Sequence, residues 1–243
     1  MDEILYRQHA SLEDVHWWFI GRRRLVRALI ARWVAPGSSL LDVGCGAGGM
    51  VAELSSDYET RGVDAAAEAV EACRARGLTN VILGSATEPS TWGPLPVGAV
   101  ALLDVIEHLD DDLGALRAAA TAVGTAGHVI VTVPAYQWLW SAHDVRNHHR
   151  RRYTLRRLLE RHRAAGLRPV QYGYFNTLLF PVALMQRMLS RLGLGADPLR
   201  LPPPLVNRPL ARLFSGEGSF IANRKIGFPF GLSIYCVSTA AGA

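Results

Sequence analysis

The sequence predicts an α/β protein built on a parallel, doubly wound sheet, and three observations predict it. Short apolar segments alternate with helix-like segments over the first 133 residues, which is the pattern of parallel strands joined by crossover helices. A glycine-rich turn follows the first of these apolar segments, at residues 44–49. The length of 243 residues is enough to bury the core of one such domain.

Seven segments rich in Val, Ile and Leu are predicted as strands, because each is short, apolar and bounded by glycine, proline or polar residues. Five of them precede an arginine-rich segment and two follow it. In chain order they are Ser39–Val43, Thr60–Val63, Asn80–Leu83, Gly98–Leu103, His128–Val133, Pro169–Phe175 and Gly231–Thr239.

Helices are predicted between these strands from apolar residues at helical spacing and from terminal signals. In the first helix Leu25, Leu29 and Trp33 repeat on one face. Thr154 is a predicted N-cap, and Gly166 ends the same helix. The predicted helices are Gly21–Trp33, Gly48–Leu54, 65–76, Asp111–Val123, Thr154–Ala165, 176–192 and 206–215.

One domain is predicted for residues 1–243, because no long linker or internal repeat divides the chain. Its parts are an N-terminal flap and helix (1–36), a core sheet (37–175), a helical cap inserted before the last strand (176–230) and that strand (231–243). The inserted segment is the longest interruption of the alternating pattern.

The net charge of +5 is concentrated in one segment. Residues 143–168 contain nine Arg against two acids, and four of the eight His. Nucleic-acid-binding surfaces usually combine a diffuse basic coat with aromatic side chains, and Tyr153 is the only Phe, Trp or Tyr in this segment. We therefore expect a local basic site and no nucleic-acid partner.

Cysteine usage and the N-terminus indicate a cytoplasmic protein. The three cysteines lie far apart without a CxxC pair, so neither a disulfide scaffold nor a zinc–cysteine site is expected. The N-terminus is acidic and lacks the apolar region of a secretory signal. The sequence has no run of 18 uncharged apolar residues, so no transmembrane helix is expected.

The stretch LLDVGCGAGG at residues 40–49 is the strongest motif. Glycines after a buried strand let the backbone approach a ligand closely, and the next helix points free N–H groups into the same gap. The second strand leads into Asp64, 20 residues after Gly44, where an acid can bind the hydroxyls of a ribose. These features fit either a dinucleotide or an adenosyl cofactor.

Acidic residues near the turn distinguish these two cofactor classes. Asp42 lies two residues before the first glycine, and Asp104 and Glu107 follow the fourth strand. Their charges would repel a pyrophosphate and would suit a cationic cofactor. S-adenosylmethionine carries a sulfonium and an ammonium group and no phosphate, so it is favoured. An NAD(P)-dependent oxidoreductase remains the alternative.

With these motifs in order, the sequence resembles the class I S-adenosylmethionine-dependent methyltransferases. The resemblance rests on LLDVGCGAGG (40–49), GVDAA (62–66), LGSATEP (83–89) and LLDVIEHLDD (102–111). It implies the Rossmann-like methyltransferase fold, a seven-stranded and mostly parallel sheet whose last strand is antiparallel. It also implies S-adenosylmethionine as the cofactor and S-adenosylhomocysteine as the product.

The resemblance implies a set of cofactor contacts, most of them through backbone atoms. Asp64 would hold the ribose hydroxyls, the backbone of Ala86 would meet adenine, and the carbonyl of Leu103 would accept from the methionyl ammonium. Ser85 stands where many relatives carry Asp, so recognition of the adenine amino group would be weaker or made by backbone. The methionine part would lie against the turn, at Asp42, Gly44, Cys45 and Gly46.

Other stretches resemble a narrower bacterial branch of these enzymes that acts on small molecules. They are HWWF with three following arginines (16–24), LWSAHD (139–144), HHRRRY (148–153) and FNTLLFP (175–181). For the first stretch we expect a flap in which Trp18 covers the cofactor and Arg22 pairs with its carboxylate. The alternative is an aromatic staple that packs the first helix onto the sheet.

The arginine-rich loop after the fifth strand is expected to reach the transferred methyl group, because such loops surround the ligand in open parallel sheets. A histidine beside an aspartate can act as a general base, and paired arginines can hold a carboxylate or phosphate. The predicted catalytic residues are His143, His149 and Tyr153, and the predicted acceptor-binding residues are His108, Trp140, Asp144, Arg151, Arg152 and Asn176. The alternative is a solvated basic helix start.

No metal site is expected, because the adjacent His143 and Asp144 are poor ligands for one ion. The predicted function is methyl transfer, to oxygen, of a small or medium-sized acceptor that is acidic and partly apolar, or peptide-like. C- or N-methyl transfer to a natural product or lipid-linked intermediate, and a non-catalytic binding protein, stay open. We expect a monomer or homodimer, with residues 176–215 as a candidate surface for peripheral membrane contact.

Overall fold

The computed structural model of the chain describes residues 10–191, 201–224 and 227–240. Each of its strands begins and ends within two residues of the predicted bounds. They are β1 (Ser39–Val43), β2 (Glu59–Asp64), β3 (Val81–Leu83), β4 (Ala99–Leu103), β5 (His128–Pro134), β6 (Leu167–Phe175) and β7 (Ser233–Ala240).

These seven strands form one sheet in the order β3-β2-β1-β4-β5-β7-β6. Strands β1 to β5 pair in parallel, and β7 lies antiparallel between β5 and β6. The expected seven-stranded, mostly parallel sheet with an antiparallel last strand is therefore confirmed. Because β1, β2, β4 and β5 run the same way, the loops that follow them emerge at one edge of the sheet.

The helices cover both faces of the sheet. They are α1 (Trp17–Trp33), α2 (Gly49–Leu54), α3 (Ala67–Ala75), α4 (Asp112–Val123), α5 (Ala142–Arg146), α6 (Leu155–Ala164), α7 (Phe180–Arg191) and α8 (Pro204–Arg224). The predicted N-cap at Thr154 is confirmed, since its side chain accepts from the backbone N–H of Arg157 at 3.3 Å. Helix α5 was not predicted, and α1 and α8 are longer than expected.

One apolar core lies on each face of the sheet. On one face α4 and α6 pack on the central strands through residues such as Leu116 and Leu158. On the other face α1 and α8 pack through residues such as Leu29, Phe214 and Ile221. Two helices were expected to form a cap. Helix α8 instead packs into the core on one face of the sheet. Helix α7 lies beside the site described below.

Helix α7 presents an apolar face to solvent. The side chains of Val182, Met185 and Met188 are 57%, 59% and 59% exposed. Among the residues described, no helix has the length and hydropathy needed to cross a membrane. Peripheral contact through 176–215 stays a prediction, and residues 192–200 of that segment lie outside the described part of the chain.

Two glycines allow α1 and α8 to cross closely. A Cβ atom at Gly21 would lie 2.2 Å from the ring of Phe214, and a Cβ atom at Gly218 would lie 2.9 Å from the Cα of Leu25. The second contact is to backbone, which cannot rotate away as a side chain can. Gly216 lies on the same helix and has no atom within 4 Å of a Cβ.

We expect Gly218→Ala to lower the free energy of unfolding by about 1–3 kcal/mol, because the added methyl group overpacks the crossing. Gly216→Ala is the matched control. It adds the same methyl group to an open helix position and should raise the free energy of unfolding by up to about 1 kcal/mol. Urea unfolding of both variants measures the difference, and equal effects would contradict the close crossing.

Candidate functional site

A cavity of about 840 Å³ opens at the carboxyl edge of β1, β2, β4 and β5. Its wall includes the turn after β1, the loops after β4 and β5, parts of α5 and α7, and the segment 10–22. Most of the predicted site residues meet there. They are Trp18, Arg22, Gly44, Cys45, Gly46, Asp64, Ala86, Leu103, His108, His143, His149, Arg152 and Asn176.

The glycine turn needs backbone conformations that other residues rarely adopt. Gly44 and Gly46 have φ values of +77° and +55°, and a Cβ at Gly44 would lie 2.5 Å from the side chain of Val105. The carboxylate of Asp64 holds this turn in place. It accepts from the backbone N–H of Gly46 at 2.9 Å and of Ala66 at 3.0 Å. Asp64 therefore links the turn after β1 to the end of β2 on the cavity wall.

Asp42 lies beneath the turn, 2% exposed, and is absent from the cavity wall. Its Oδ1 atom has no hydrogen-bond partner among the residues described. Burial raises the pKa of Asp42 to about 7, which the guanidinium of Arg22 opposes. The carboxyl is then only partly ionised near neutral pH. A partly ionised Asp42 repels a pyrophosphate less strongly than a fully charged carboxylate would.

Arg22 is held inside the cavity wall by three contacts. It pairs with the carboxylate of Asp104 and donates to the carbonyl of Leu103 at 3.4 Å. Its guanidinium carbon lies 5.0 Å from the ring centre of Trp18. Trp18 belongs to the first turn of α1 and not to a separate flap. The charge expected to meet the cofactor's carboxylate is thus already paired with Asp104.

Glu13 is a wall residue that the sequence analysis missed. Its carboxylate accepts from the backbone N–H of Gly49 at 3.1 Å and pairs with Arg76 at 3.0 Å. Arg23 also donates to the backbone carbonyl of Glu13 at 2.6 Å. These contacts tie the N-terminal segment to the start of α2, beside the glycine turn. The acidic pair Glu13-Asp14 ahead of the aromatic cluster was the available signal.

Asp144 and Arg152 form a buried, bidentate ion pair. Arg152 Nε lies 2.7 Å from Asp144 Oδ1, and Arg152 Nη2 lies 3.0 Å from Oδ2. Burial alone would raise the pKa of Asp144, but hydrogen bonds from His149 and Arg152 hold it well below its ordinary value. Their charges are therefore used on each other, and acceptor binding by Arg152 or Asp144 stays a prediction.

His149 is the histidine whose ring nitrogen contacts the carboxylate of Asp144, a role that the sequence suggested for its chain neighbour His143. Its Nδ1 atom lies 2.9 Å from Asp144 Oδ1, so Nε2 is the nitrogen left to act. The ring of His149 stands perpendicular to that of His108 at 4.7 Å and to that of His143 at 6.2 Å. Three histidines therefore face one part of the cavity, and one of them is oriented by a buried carboxylate.

Tyr153, Arg151 and Trp140 are absent from the cavity wall. Tyr153 forms a β-bridge with Ala135, and adjacent side chains in extended backbone point to opposite sides. Arg152 faces the cavity, whereas the buried hydroxyl of Tyr153 donates to Asp112 Oδ2 at 2.8 Å. Arg151 also contacts Asp112, at 3.4 Å. These three residues therefore lie outside the cavity wall, and the function proposed below does not depend on them.

Two buried polar side chains on the wall lack hydrogen-bond partners within the described ranges. Asn176 is 1% exposed, has a φ of +58°, and neither atom of its amide is paired. Glu107 is 0% exposed, and neither carboxylate oxygen is paired. Burial raises the pKa of Glu107 well above its ordinary value. Because buried polar groups are almost always paired with protein, water or ligand, both residues are candidate ligand contacts.

Comparisons with known proteins agree with this geometry. A family model described as a methyltransferase domain matches residues 18–172. The ubiquinone biosynthesis O-methyltransferase of Xanthomonas campestris is 28% identical over 138 residues, which is 51% of this chain and 57% of that protein. The match thus covers little more than half the length of this curated relative.

Two solved structures extend the comparison. A methyltransferase in complex with the Haloferax volcanii Trm112 methyltransferase activator superposes with a TM-score of 0.63 at 18% identity, covering 99% of this chain and 96% of that one. The O-methyltransferase NcsB1 from neocarzinostatin biosynthesis, solved with S-adenosylhomocysteine and 1,4-dihydroxy-2-naphthoic acid, has a TM-score of 0.52 at 25% identity. That match covers 70% of this chain and 52% of NcsB1.

The family match covers well over half of the chain and includes the turn, Asp64 and the loop that carries His149. The strand order and the cavity at the carboxyl edge agree with it. The chain therefore belongs to the methyltransferase domain family of S-adenosylmethionine-dependent enzymes.

Proposed function

We propose that this chain transfers the methyl group of S-adenosylmethionine to a hydroxyl oxygen of a small or medium-sized acceptor that is acidic and partly apolar. One observation carries the proposal. A single cavity joins the glycine turn and Asp64 to a group of histidines, one of which is oriented by a buried carboxylate. A cofactor on the first group and a hydroxyl near the second would share one enclosed space.

On the cofactor side, the wall residues are suited to an adenosyl ligand. Asp64 is fixed by two backbone N–H groups and keeps lone pairs for ribose hydroxyls. The carbonyl of Leu103 and the backbone of Ala86 lie on the same wall, where the ammonium and adenine contacts are proposed. Wall residues Trp18 and Phe19 add apolar surface.

Glu13 makes the oxidoreductase alternative less favourable. A pyrophosphate in a dinucleotide site binds at the N–H groups that open the helix after the glycine turn. Here the N–H of Gly49, the first residue of α2, already donates to the carboxylate of Glu13. A pyrophosphate would have to displace that carboxylate and sit beside its charge. S-adenosylmethionine has no such requirement.

Methyl transfer itself requires little covalent chemistry from the protein. The acceptor oxygen attacks the methyl carbon in line, the C–S bonding pair stays on sulfur, and neutral S-adenosylhomocysteine leaves. The protein has to align the two reactants and exclude water. A hydroxyl acceptor must also lose its proton, and His143 and His149 are the wall residues that we propose to receive it.

The acceptor class is supported by charge and by the relatives. Arg146 of α5 and Arg187 of α7 lie on the cavity wall and take the role that the sequence analysis gave to Arg151 and Arg152. Asn176 offers an unpaired amide on the same wall. Two relatives bear the name O-methyltransferase, and one was solved with a dihydroxynaphthoic acid. An aromatic hydroxy acid fits all of these features.

Asp64→Ala should weaken S-adenosylmethionine binding at least tenfold, about 1.4 kcal/mol, because it removes charge-assisted hydrogen bonds to the ribose and releases the turn. Calorimetric titration with S-adenosylmethionine, S-adenosylhomocysteine and NADH measures the effect. Asp57→Ala is the control, since Asp57 pairs with Arg27 at the surface. Unchanged affinity in Asp64→Ala, or tight NADH binding by the unaltered chain, would overturn the cofactor assignment.

Replacing Arg146 and Arg187 together by Gln should raise the KM for an aromatic hydroxy acid at least tenfold and leave S-adenosylmethionine affinity unchanged. The reason is the loss of charge-assisted hydrogen bonds to the acid group. Formation of S-adenosylhomocysteine with a panel of dihydroxybenzoic and dihydroxynaphthoic acids provides the assay, and NMR of the product assigns the methyl to O, N or C.

The matched control replaces Arg156 and Arg212, two exposed arginines outside the cavity wall, by Gln. It removes the same net charge from the molecule. If this control raises the KM equally, the effect is one of overall charge. If the methyl esters of the same acids lose as much activity in the Arg146/Arg187 variant as the free acids do, the acid group is not what these arginines bind.

A further inference from the structure

We propose that Glu107, His108 and His149 bind a divalent transition-metal ion on the acceptor side of the cavity. Within the described ranges these side chains form one cluster in which a ligand atom of each lies within 4.8 Å of the others. The donor set is two imidazole nitrogens and one carboxylate oxygen. Such a set suits Zn²⁺, Fe²⁺, Co²⁺ and similar ions and leaves further coordination positions open.

The fold brings the three donors together from two loops. Glu107 and His108 follow β4, and His149 lies in the loop after β5. These strands are parallel neighbours, so both loops emerge at the same edge of the sheet. Ligands bonded at about 2.0–2.2 Å lie closer together than 4.8 Å, so the side chains would close modestly around an ion.

The carboxyl group of Glu107 is the strongest indication of a cation site. It is fully buried and has no hydrogen-bond partner in the described part of the chain. The two guanidinium groups that act on its charge are already used, since Arg22 pairs with Asp104 and Arg152 pairs with Asp144. A carboxyl in such a place either holds a proton or needs a counterion, and a bound cation would supply that counterion.

Both histidines are also oriented as metal ligands usually are. A ligating histidine normally donates its second ring N–H to a carboxylate or a backbone carbonyl, which fixes the ring and its tautomer. His149 has Asp144 in that role, at 2.9 Å from Nδ1. The backbone of Asn147 interacts with the ring of His108. Each ring therefore keeps one nitrogen for an ion.

The role of the ion follows from the proposed function and rests on it. A metal with open positions lowers the pKa of a bound hydroxyl and holds it in place. The acceptor would then be one that can chelate, with two adjacent oxygens such as a 1,2-dihydroxy aromatic acid. The free nitrogen of His149 would be occupied by the metal. His143, whose ring centre is 6.2 Å from that of His149, would receive the proton that the hydroxyl loses.

Titration of the purified chain with Co²⁺, followed by visible absorption, tests the site without any methyl acceptor. We expect one Co²⁺ per chain with the ligand-field bands of mixed imidazole and carboxylate coordination. Glu107→Gln and His149→Gln should each weaken this binding at least tenfold. Thermal unfolding checks the fold of each variant. If Glu107→Gln does not fold, His149→Gln carries the comparison.

The matched control is His148→Asn. It removes the neighbouring, exposed histidine, and Asn suits the φ of +55° at that position. It should bind Co²⁺ as the unaltered chain does. If the unaltered chain binds no more tightly than His149→Gln, the proposed site is wrong. If His148→Asn loses the bands as well, Co²⁺ binds to surface histidines and the proposal is equally wrong.

A second measurement separates this inference from the proposed function. After chelation has removed the Co²⁺ bands, S-adenosylmethionine affinity should be unchanged, and the kcat for a 1,2-dihydroxy aromatic acid should fall at least tenfold and return with added metal. Methyl transfer at an unchanged rate in the chelated protein would overturn the metal role and leave the proposed function standing. Failure to bind S-adenosylmethionine would overturn the proposed function, while the Co²⁺ titration would still decide the metal site.

Discussion

The carboxylate of Asp144 is the interaction on which the acceptor side of the cavity depends. It accepts from the backbone N–H of Ser141 at 2.8 Å and so caps α5, it orients the ring of His149, and it binds Arg152 through two hydrogen bonds. Arg152 in turn donates to the carbonyl of Ala135 at 3.0 Å, which anchors the loop to the end of β5. Because the carboxylate is fully buried, these contacts are not weakened by water.

On the cofactor side, carboxylates again hold the cavity wall together by accepting hydrogen bonds from backbone N–H groups. Asp64 holds the glycine turn through the N–H of Gly46, and Glu13 ties the N-terminal segment to Gly49 and Arg76. Several charged residues that a motif would assign to a ligand are therefore occupied by the protein's own groups. Among the described residues of the wall, Glu107 and Asn176 are buried side chains without a hydrogen-bond partner, which makes them candidate ligand contacts.

Local sequence pattern predicted the strands well and two of the helices poorly. The strand ends were recovered because buried strands are short, apolar and sharply bounded. Helix α8 runs on to Arg224, through Gly216 and Gly218, although the predicted helix ended at residue 215. The cause is tertiary packing, since Gly218 is the position where α8 meets the backbone of Leu25. Burial of this helix face outweighs the low helix propensity of glycine.

The sequence by itself determined the sheet, the glycine turn, Asp64 and the methyltransferase family, because each depends on residues close together in the chain or on motifs in a set order. The tertiary structure alone decided that the ring of His149 contacts Asp144, and that Arg152 faces inward while Tyr153 is buried. It also decided that Glu107 lies beside two histidines without a counterion among the residues described. These facts depend on distances between loops that follow different strands, and no local pattern encodes such distances.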